Sequence, residues 1–483
     1  MSGKLRIGII GAGAAGLSTA WMLDKDRYEV TLFEAQDRLG GHAHTVTMPY
    51  NLNGKNILVH VDAGAQFFYD NYHVMFKRLL GILQVPISDW VLDFAVVNQT
   101  TNPPTKILVT GNTRNEVQSL LDQFVSFFRH DNIWEAIKSV FSTVSDDAQT
   151  LFNLLKFINL AQTLVMSQNW GITVEEYLNS LKDSSKGTPL LPPEFVDDFL
   201  LPFLTSIWTV GDKIEQSSAY AVLTYVGLGH PSVFNLFGSS SFAVWAVVDG
   251  TLAYVTKLAA DIQAEGKTIS YPAPVSQLTH NADGSWSAQV NGADAGTFDH
   301  IIIAAPAWNA IQFLGDTDPE RSAILQQYDY FHTQVIVHGD TSFMPDDPTD
   351  WSAVYQYWNG FNDYYQTTWQ GVEGVNVFKT WVTYSSRKPD PSKIYQTIDF
   401  HHPDHHLQYF ANQVPLAALQ GRNNLWLAGS YTFGVDSHET AIRSGASVVT
   451  RLDNITGGAV SPNLQKLFDW TTQYVPPLKP TQL

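Results

Sequence analysis

Cysteine is missing from all 483 residues, which excludes disulfides, iron–sulfur ligation, thiol catalysis and a cysteinyl link to a cofactor, while fitting a reducing or an oxidising compartment. Charge is scarce too, at 15% of residues, and positive charge is scarcer still: 28 Lys and Arg stand against 46 Asp and Glu, for a net −18. Nucleic acid and anionic membrane surfaces are gripped by clustered Lys and Arg, so neither is an expected partner. No apolar run reaches the roughly 18 residues that a spanning helix requires, so no membrane span is expected, and peripheral contact with a membrane stays open. The chain runs from Met1 into a strand at Leu5, which leaves no room for a secretory leader; a cytoplasmic location is expected, with the sequons at Asn98 and Asn454 unused. A G-x-S-x-G elbow, internal repeats and low-complexity linkers are absent as well, so Gly238-Ser239-Ser240-Ser241 reads as a turn.

What the chain does hold is apolar and aromatic. Hydrophobic residues at 44% and aromatics at 13% exclude a disordered chain and suit a large buried surface with apolar cavity walls. Length predicts two domains. Leu5–Ile10 reads as a buried parallel strand, Ala14–Leu23 as a helix and Glu29–Phe33 as a second strand, together one βαβ unit. From about Val117 to Leu181 apolar residues fall at helical spacing, first Leu120, Leu121, Phe124, Phe127 and Phe128, then Leu151, Leu154, Leu155 and Ile158. Strand formers gather at Ile301–Ile303, Thr333–His338, Val375–Tyr384 and Trp426–Gly429, and Glu439–Leu452 reads as a closing helix. The expected fold is α/β, organised as a two-domain α+β protein. Its Rossmann-type dinucleotide-binding domain takes residues 1–75, 245–327 and 413–460. Interleaved with it is a substrate domain, mainly helical over 76–244 and a sheet over 328–412, and 461–483 form a tail.

Gly11-Ala12-Gly13-Ala14-Ala15-Gly16 follows the first strand and opens the first helix, and Glu34 closes the second strand. That context turns a weak pattern into a dinucleotide site. Gly11 permits the tight turn, Gly13 lets the backbone approach a pyrophosphate, and Gly16 allows close helix–strand packing. The helix N-terminus supplies N–H donors and the positive end of a dipole. Glu34 is placed to accept ribose hydroxyls.

Glu34, Arg38, Gly40 and Gly41 form E-x-x-x-R-x-G-G, and this string resembles FAD-binding proteins of the amine-oxidase superfamily. So do Val61-Asp62-Ala63-Gly64-Ala65-Gln66 and, near the far end, Trp426-Leu427-Ala428-Gly429-Ser430-Tyr431 with His438-Glu439-Thr440-Ala441-Ile442-Arg443-Ser444-Gly445. The resemblance implies a Rossmann domain of the amine-oxidase/glutathione-reductase type holding FAD non-covalently. It implies cofactor contacts from Gly11, Gly13, Ala14, Ala15, Gly16, Glu34, Ala35, Arg38, Gly40, Gly41, His42, Val275, Ala305, Gly429, Ser430, His438, Glu439, Thr440 and Ala441, with Ser430 standing where many members carry an acid. A closer resemblance is to a group described as predicted NAD/FAD-binding or amine-oxidase-like proteins, to which polyunsaturated fatty-acid isomerases are related. It rests on Arg38–Thr45, Val248–Val255, His338–Thr341 with Met344-Pro345 and Trp351, Arg387–Pro391 with His402-Pro403, and the final segment. Asp249 replaces a glycine common in the second of these.

Amine oxidases of the superfamily commonly place a lysine in the substrate-domain sheet, bridged through water to flavin N5. Between Arg321 and Lys379 there is no Lys or Arg, and the strand Thr333–His338 offers His338 at most, which counts against an oxidase. An isomerase needs less: the oxidised flavin takes a hydride from a doubly allylic carbon and returns it elsewhere in an apolar, aromatic channel with a cation at its mouth. Tyr355-Gln356-Tyr357-Trp358 and Tyr364-Tyr365 are candidate walls, and Arg78, beside Lys77, is a candidate carboxylate anchor. His42 and His44 follow the glycine pair, and His42 is expected to hydrogen-bond the cofactor. The candidate catalytic residues are thus His42, His338 and Arg78. His401, His402, His405 and His406 read as a loop near the cofactor, because Pro403 breaks any helix that would align them; no metal is expected. The leading expectation is an FAD-dependent isomerase or oxidoreductase with a polyunsaturated, fatty-acid-like hydrophobic small molecule as substrate. The alternative is an amine or amino-acid oxidase releasing hydrogen peroxide, and an FAD-binding scaffold without turnover is a third reading.

Overall fold

Leu5–Ile10 pairs in parallel with Tyr28–Phe33 on one side and His300–Ile303 on the other. Its last four residues are buried and His300–Ile303 is buried throughout, the pattern of parallel strands covered on both faces. Thr268–Ser270 and Leu425–Leu427 extend the edges, giving the order Thr268–Ser270, Tyr28–Phe33, Leu5–Ile10, His300–Ile303, Leu425–Leu427. Three stretches far apart in sequence thus share one sheet. This computed structural model describes residues 3–469 except 70, 92–93, 99–104, 110–145, 209–210, 230–242, 316, 345, 347–350, 352–353, 359–363, 368–373 and 384–386. The expected helical run Leu120–Phe128 and the turn Ser239–Ser241 lie outside the described residues. Among the described residues no helix is long and apolar enough to cross a membrane.

The crossover helix Ala14–Met22 is buried from Ala15 to Met22 and packs against the closing helix His438–Ile455. The crossing demands small residues: a Cβ on Gly445 would collide with Thr19 Oγ1 and lie 3.2 Å from the Ala15 carbonyl oxygen.

The second sheet has seven strands, in the order Ile394–Pro403, Tyr330–His338, Phe378–Trp381, Tyr364–Thr367, Val354–Trp358, Phe94–Asn98, Thr105–Val109. Its last two strands come from 76–244, the stretch expected to be mainly helical. The strand-forming run Phe94-Ala95-Val96-Val97 precedes the helical spacing and pairs with Val354–Trp358. The helix Asp146–Ser167 packs on Ala219–Gly229, burying Leu154, Phe157 and Ile158 in one core with Val222 and Val226.

A hairpin, Thr45–Leu52 and Lys55–Asp62, covers the inner face of this second sheet, with Val46, Met48, Val59 and Val61 packed among Val335, Val337, Trp381, Ile398 and Phe400. The chain leaving the hairpin, Ala63-Gly64-Ala65-Gln66, is therefore held at the join between the two sheets. Residues directly opposite in a ladder share a face. The register pairs Phe331 with His402, Thr333 with Phe400, Val335 with Trp381 and Val337 with Lys379, so these side chains look inward, while His332, Gln334, Asp399 and His401 look outward. Asp249, at φ 64 before Gly250 at φ 83, adopts the left-handed backbone that explains the usual glycine there, a conformation Asp tolerates better than most residues.

Gly445→Val is expected to lower stability by about 1–3 kcal/mol through overpacking. The check is a fall in Tm with the far-UV dichroism unchanged; an unaltered Tm would mean the two helices can part at no cost.

Candidate functional site

The glycine loop is shaped by backbone contacts that leave no room for side chains at two positions and open space at a third. Gly11 sits at φ +101, where a Cβ would come within 2.7 Å of the Ala304 carbonyl oxygen and 3.3 Å of Ala305 N. A Cβ on Gly16 would collide with the Gly11 carbonyl. On Gly13 it would meet nothing nearer than Gly41 Cα, at 4.0 Å, so this space is left open among the described residues. The Gly40 N–H donates to the Ala12 carbonyl at 2.8 Å, pinning the second glycine pair beside the first loop. Gly13 caps the helix with no side chain, which leaves the N–H groups of the Ala14-Ala15-Gly16 turn to a ligand. Glu34 accepts from Ala12 N–H at 2.7 Å and Gln36 N–H at 2.9 Å, and Arg38 donates to the Gly41 carbonyl at 2.9 Å. Ala35 continues from Glu34, whose carbonyl accepts from Ala273 N–H; Val275, two positions on, points its side chain into the core. The cradle fits a dinucleotide phosphate.

Beyond the glycine pair the chain turns at His42. Its carbonyl accepts from Ala65 N–H at 3.0 Å, and a Cβ on Gly64 would collide with that carbonyl. The His42 ring stacks on Phe400 at 5.0 Å and lies 5.0 Å from the His402 ring. Among the described residues His42 Nε2 and His44 Nδ1 are buried with no hydrogen-bond partner, two polar atoms in want of a ligand. Burial depresses both imidazoles to about 4, so both are neutral near pH 7.

A carboxylate absent from the sequence expectations organises the far wall. Asp436 accepts from Ser430 Oγ, its N–H donates to His405 Nε2 at 3.1 Å, and its Oδ2 lies 3.9 Å from His402 Nδ1. Despite burial, the neighbouring imidazoles hold the Asp436 carboxyl far below the usual range. His438 completes the group, packing on Phe76 and sharing a hydrogen bond with Tyr254. The histidine-rich loop is thus split. His402 and His405 face Asp436, His401 lies outward against His332 and Trp308, and His406 pairs with Asp404 at 3.0 Å. Among the described residues no group of His, Asp and Glu is arranged to hold a metal. Asp436 stands two positions before His438 in an already suspect segment, a signal that could have found it.

Three expected site residues serve other ends. His338 is fully buried, accepts from Asp340 N–H at Nδ1 and so carries its proton on Nε2, which donates to Thr380 Oγ1 at 2.8 Å. With both nitrogens committed, it is a core histidine and not a catalytic one. Arg78 donates to the Lys466 carbonyl at 2.9 Å and to the Asp469 carbonyl, closing the C-terminal end of the helix Pro462–Phe468; that corrects its assignment as a carboxylate anchor. Glu439 accepts from Met75 and Phe76 N–H, both at 3.0 Å, and from Arg443, so it caps the helix Val74–Ile82 and not a cofactor. Thr440 and Ala441 give their N–H groups to Ser437, and Gly429 gives its own to Ser444 Oγ at 2.8 Å.

One basic residue stands directly after the stretch 322–378 that lacks Lys and Arg. Lys379 is buried on the inner face of the second sheet, donating to the Asp62 carbonyl at 2.8 Å and to Gln66 Oε1 at 2.6 Å. Its ammonium also lies 4.7 Å from the Trp381 ring centroid, and burial lowers its pKa to about 7. The walls at Gln356–Trp358 and Tyr364-Tyr365 have side chains outside the described residues, and Tyr355 is packed in a small core with Phe378.

Residues 14–398 match the family model of flavin-containing amine oxidoreductases. Among solved structures, the CLA-producing fatty acid isomerase from P. acnes aligns over 93% of this chain and 99% of its own at 14% identity and a TM-score of 0.60. Cyclohexylamine oxidase from Brevibacterium oxydans IH-35A aligns over 94% and 100% at 14% identity and a TM-score of 0.60. Identities this low speak for a shared fold.

Two outcomes follow from the geometry. Gly13→Asp is expected to fold, since its side chain meets open space, and to lack bound flavin, since a carboxylate then occupies the phosphate cradle; purified yellow protein from this variant would refute the placement. His42, His405 and His438 titrate at about 4 in the folded chain against an ordinary 6.5. The unfolded chain therefore takes up protons that the folded chain refuses between those values, so stability falls as pH drops from about 6.5 to about 4. Thermal melts across that window test this, and a flat Tm would contradict it.

Proposed function

The chain belongs to the flavin-containing amine oxidoreductase family, an FAD-dependent enzyme on that premise, and we propose that it isomerises double bonds in an apolar, polyunsaturated, fatty-acid-like substrate. The observation that carries this reading is the side of the second sheet that meets His42: Phe331, Phe400 and His402 share a face there, and Phe400 stacks on the His42 ring, which burial keeps neutral. Phe331 and Phe400 supply neither nucleophile nor base there, and the amine on this face, Lys379, is engaged with the Asp62 carbonyl and Gln66. Bound FAD would supply the hydride acceptor. The residues then have few tasks. The glycine loop and Glu34 hold the dinucleotide, His42 offers its unpartnered Nε2 to the cofactor, and the aromatic face orients an apolar chain. One structure of the same fold is, by its name, a fatty acid isomerase. Arg78 takes no part, so a substrate carboxylate would remain at the solvent end of the channel.

A second reading has its own observation. Asp436 presents a carboxylate beside His402 and His405, and it would pair with a substrate ammonium group, as amine oxidation requires. Buried Lys379 also removes the objection that the substrate sheet lacks a lysine.

Purified yellow protein incubated aerobically with linoleate, with conjugated-diene absorbance and dissolved oxygen followed together, separates the two. Diene growth without oxygen loss is the expected result. Oxygen loss with cyclohexylamine and silence with linoleate would replace isomerisation with amine oxidation.

A further inference from the structure

Gln66 ends the segment that lies against the His42 carbonyl, and its side chain is oriented by Lys379. In its charged form that amine has three donors and no acceptor, so it faces the amide oxygen of Gln66, to which it donates at 2.6 Å. Turning the amide over would set two donors against each other. The Lys379 ammonium is itself fixed by the Asp62 carbonyl at 2.8 Å and by the Trp381 ring, so the lock is rigid. The consequence is that the Gln66 NH2 group points away from Lys379. Gln66 is half-buried, and among the described residues its NH2 group has no hydrogen-bond partner and is not sealed from solvent. A buried lysine is a costly way to hold a side chain that serves only packing.

We infer that Gln66 is a hydrogen-bond donor to an acceptor atom of the flavin ring, presented from the His42 side of the cleft, and that Lys379 is the positioning residue that fixes its amide orientation. The inference rests on the cleft's being the FAD site. A donor at a ring acceptor stabilises the more electron-rich reduced flavin over the oxidised one, so it raises the midpoint potential.

The test compares FAD content, the visible spectrum of the bound flavin and its midpoint potential in the wild type, Gln66→Glu, Gln66→Leu and Lys379→Met. Gln66→Glu keeps an oxygen to accept from Lys379, so that contact survives while the donor is lost. Its potential is expected to fall by about tenfold in the reduced-to-oxidised ratio, some 30 mV for a two-electron couple, with a shifted flavin spectrum. Gln66→Leu should shift it in the same direction. Lys379→Met frees the amide and should match Gln66→Leu, and the double variant should add nothing further. An unchanged spectrum and potential in Gln66→Glu and Gln66→Leu would overturn the inference even if Lys379→Met failed to fold. Wild-type protein that holds no FAD would instead overturn the cofactor reading beneath it.

Discussion

The two halves of the molecule are aligned by one buried aspartate gripped from both ends. The Asp62 carboxylate accepts from Thr45 Oγ1 at 2.6 Å and from both the N–H and the hydroxyl of Thr251, which begins the helix covering the first sheet. Its backbone carbonyl accepts from Lys379 in the second sheet. Gly250 must lack a Cβ for Thr251 to come so close, because a Cβ there would run into Thr45 and approach Asp62 to 3.0 Å. Burial raises the Asp62 pKa and its hydrogen bonds oppose that. Since the segment Ala63-Gly64-Ala65-Gln66 begins at this residue, the distance between the His42 corner and the inner face of the second sheet is set here.

The dinucleotide half was legible in the sequence because its residues are chosen by backbone geometry, and such choices are local. Gly11, Gly13, Gly16, Gly40 and Gly41 each answer to a turn or a close approach within the same motif, and Glu34 follows at the end of the next strand. A reader of the sequence needs only the βαβ frame to place them. The strand Leu5–Ile10 and the closing helix were legible for a similar reason, since continuous burial and helical spacing leave their mark on short windows.

The substrate half was less legible because its residues meet through register and helix ends that no local pattern records. Arg78 and Lys379 are both basic residues in apolar surroundings, and nothing nearby in sequence says that one faces the end of the helix Pro462–Phe468 and the other a loop at the cleft. His338 and His402 lie on paired neighbouring strands, yet one is sealed by Thr380 and Asp340 while the other faces Asp436. Glu439 sits inside a recognisable cofactor segment and turns away from it to cap another helix. In each case tertiary pairing decides the role.

Electrostatics in the cleft follow from the same division. The helix N-terminus behind Gly13 offers N–H donors suited to a negative group, whereas the far wall carries the Asp436 carboxylate beside His42, His405 and His438, which burial keeps neutral. Groups held neutral cannot act as strong acids near pH 7, and no thiol exists anywhere in the chain. On the proposed reading a bound cofactor would supply the redox chemistry, with the protein contributing shape and fixed dipoles. A positive centre developing on a substrate carbon during hydride departure would find Asp436 and the aromatic faces already in place, needing no reorganisation. The same pre-set field would receive an ammonium group, so the carboxylate alone does not choose between an alkene and an amine.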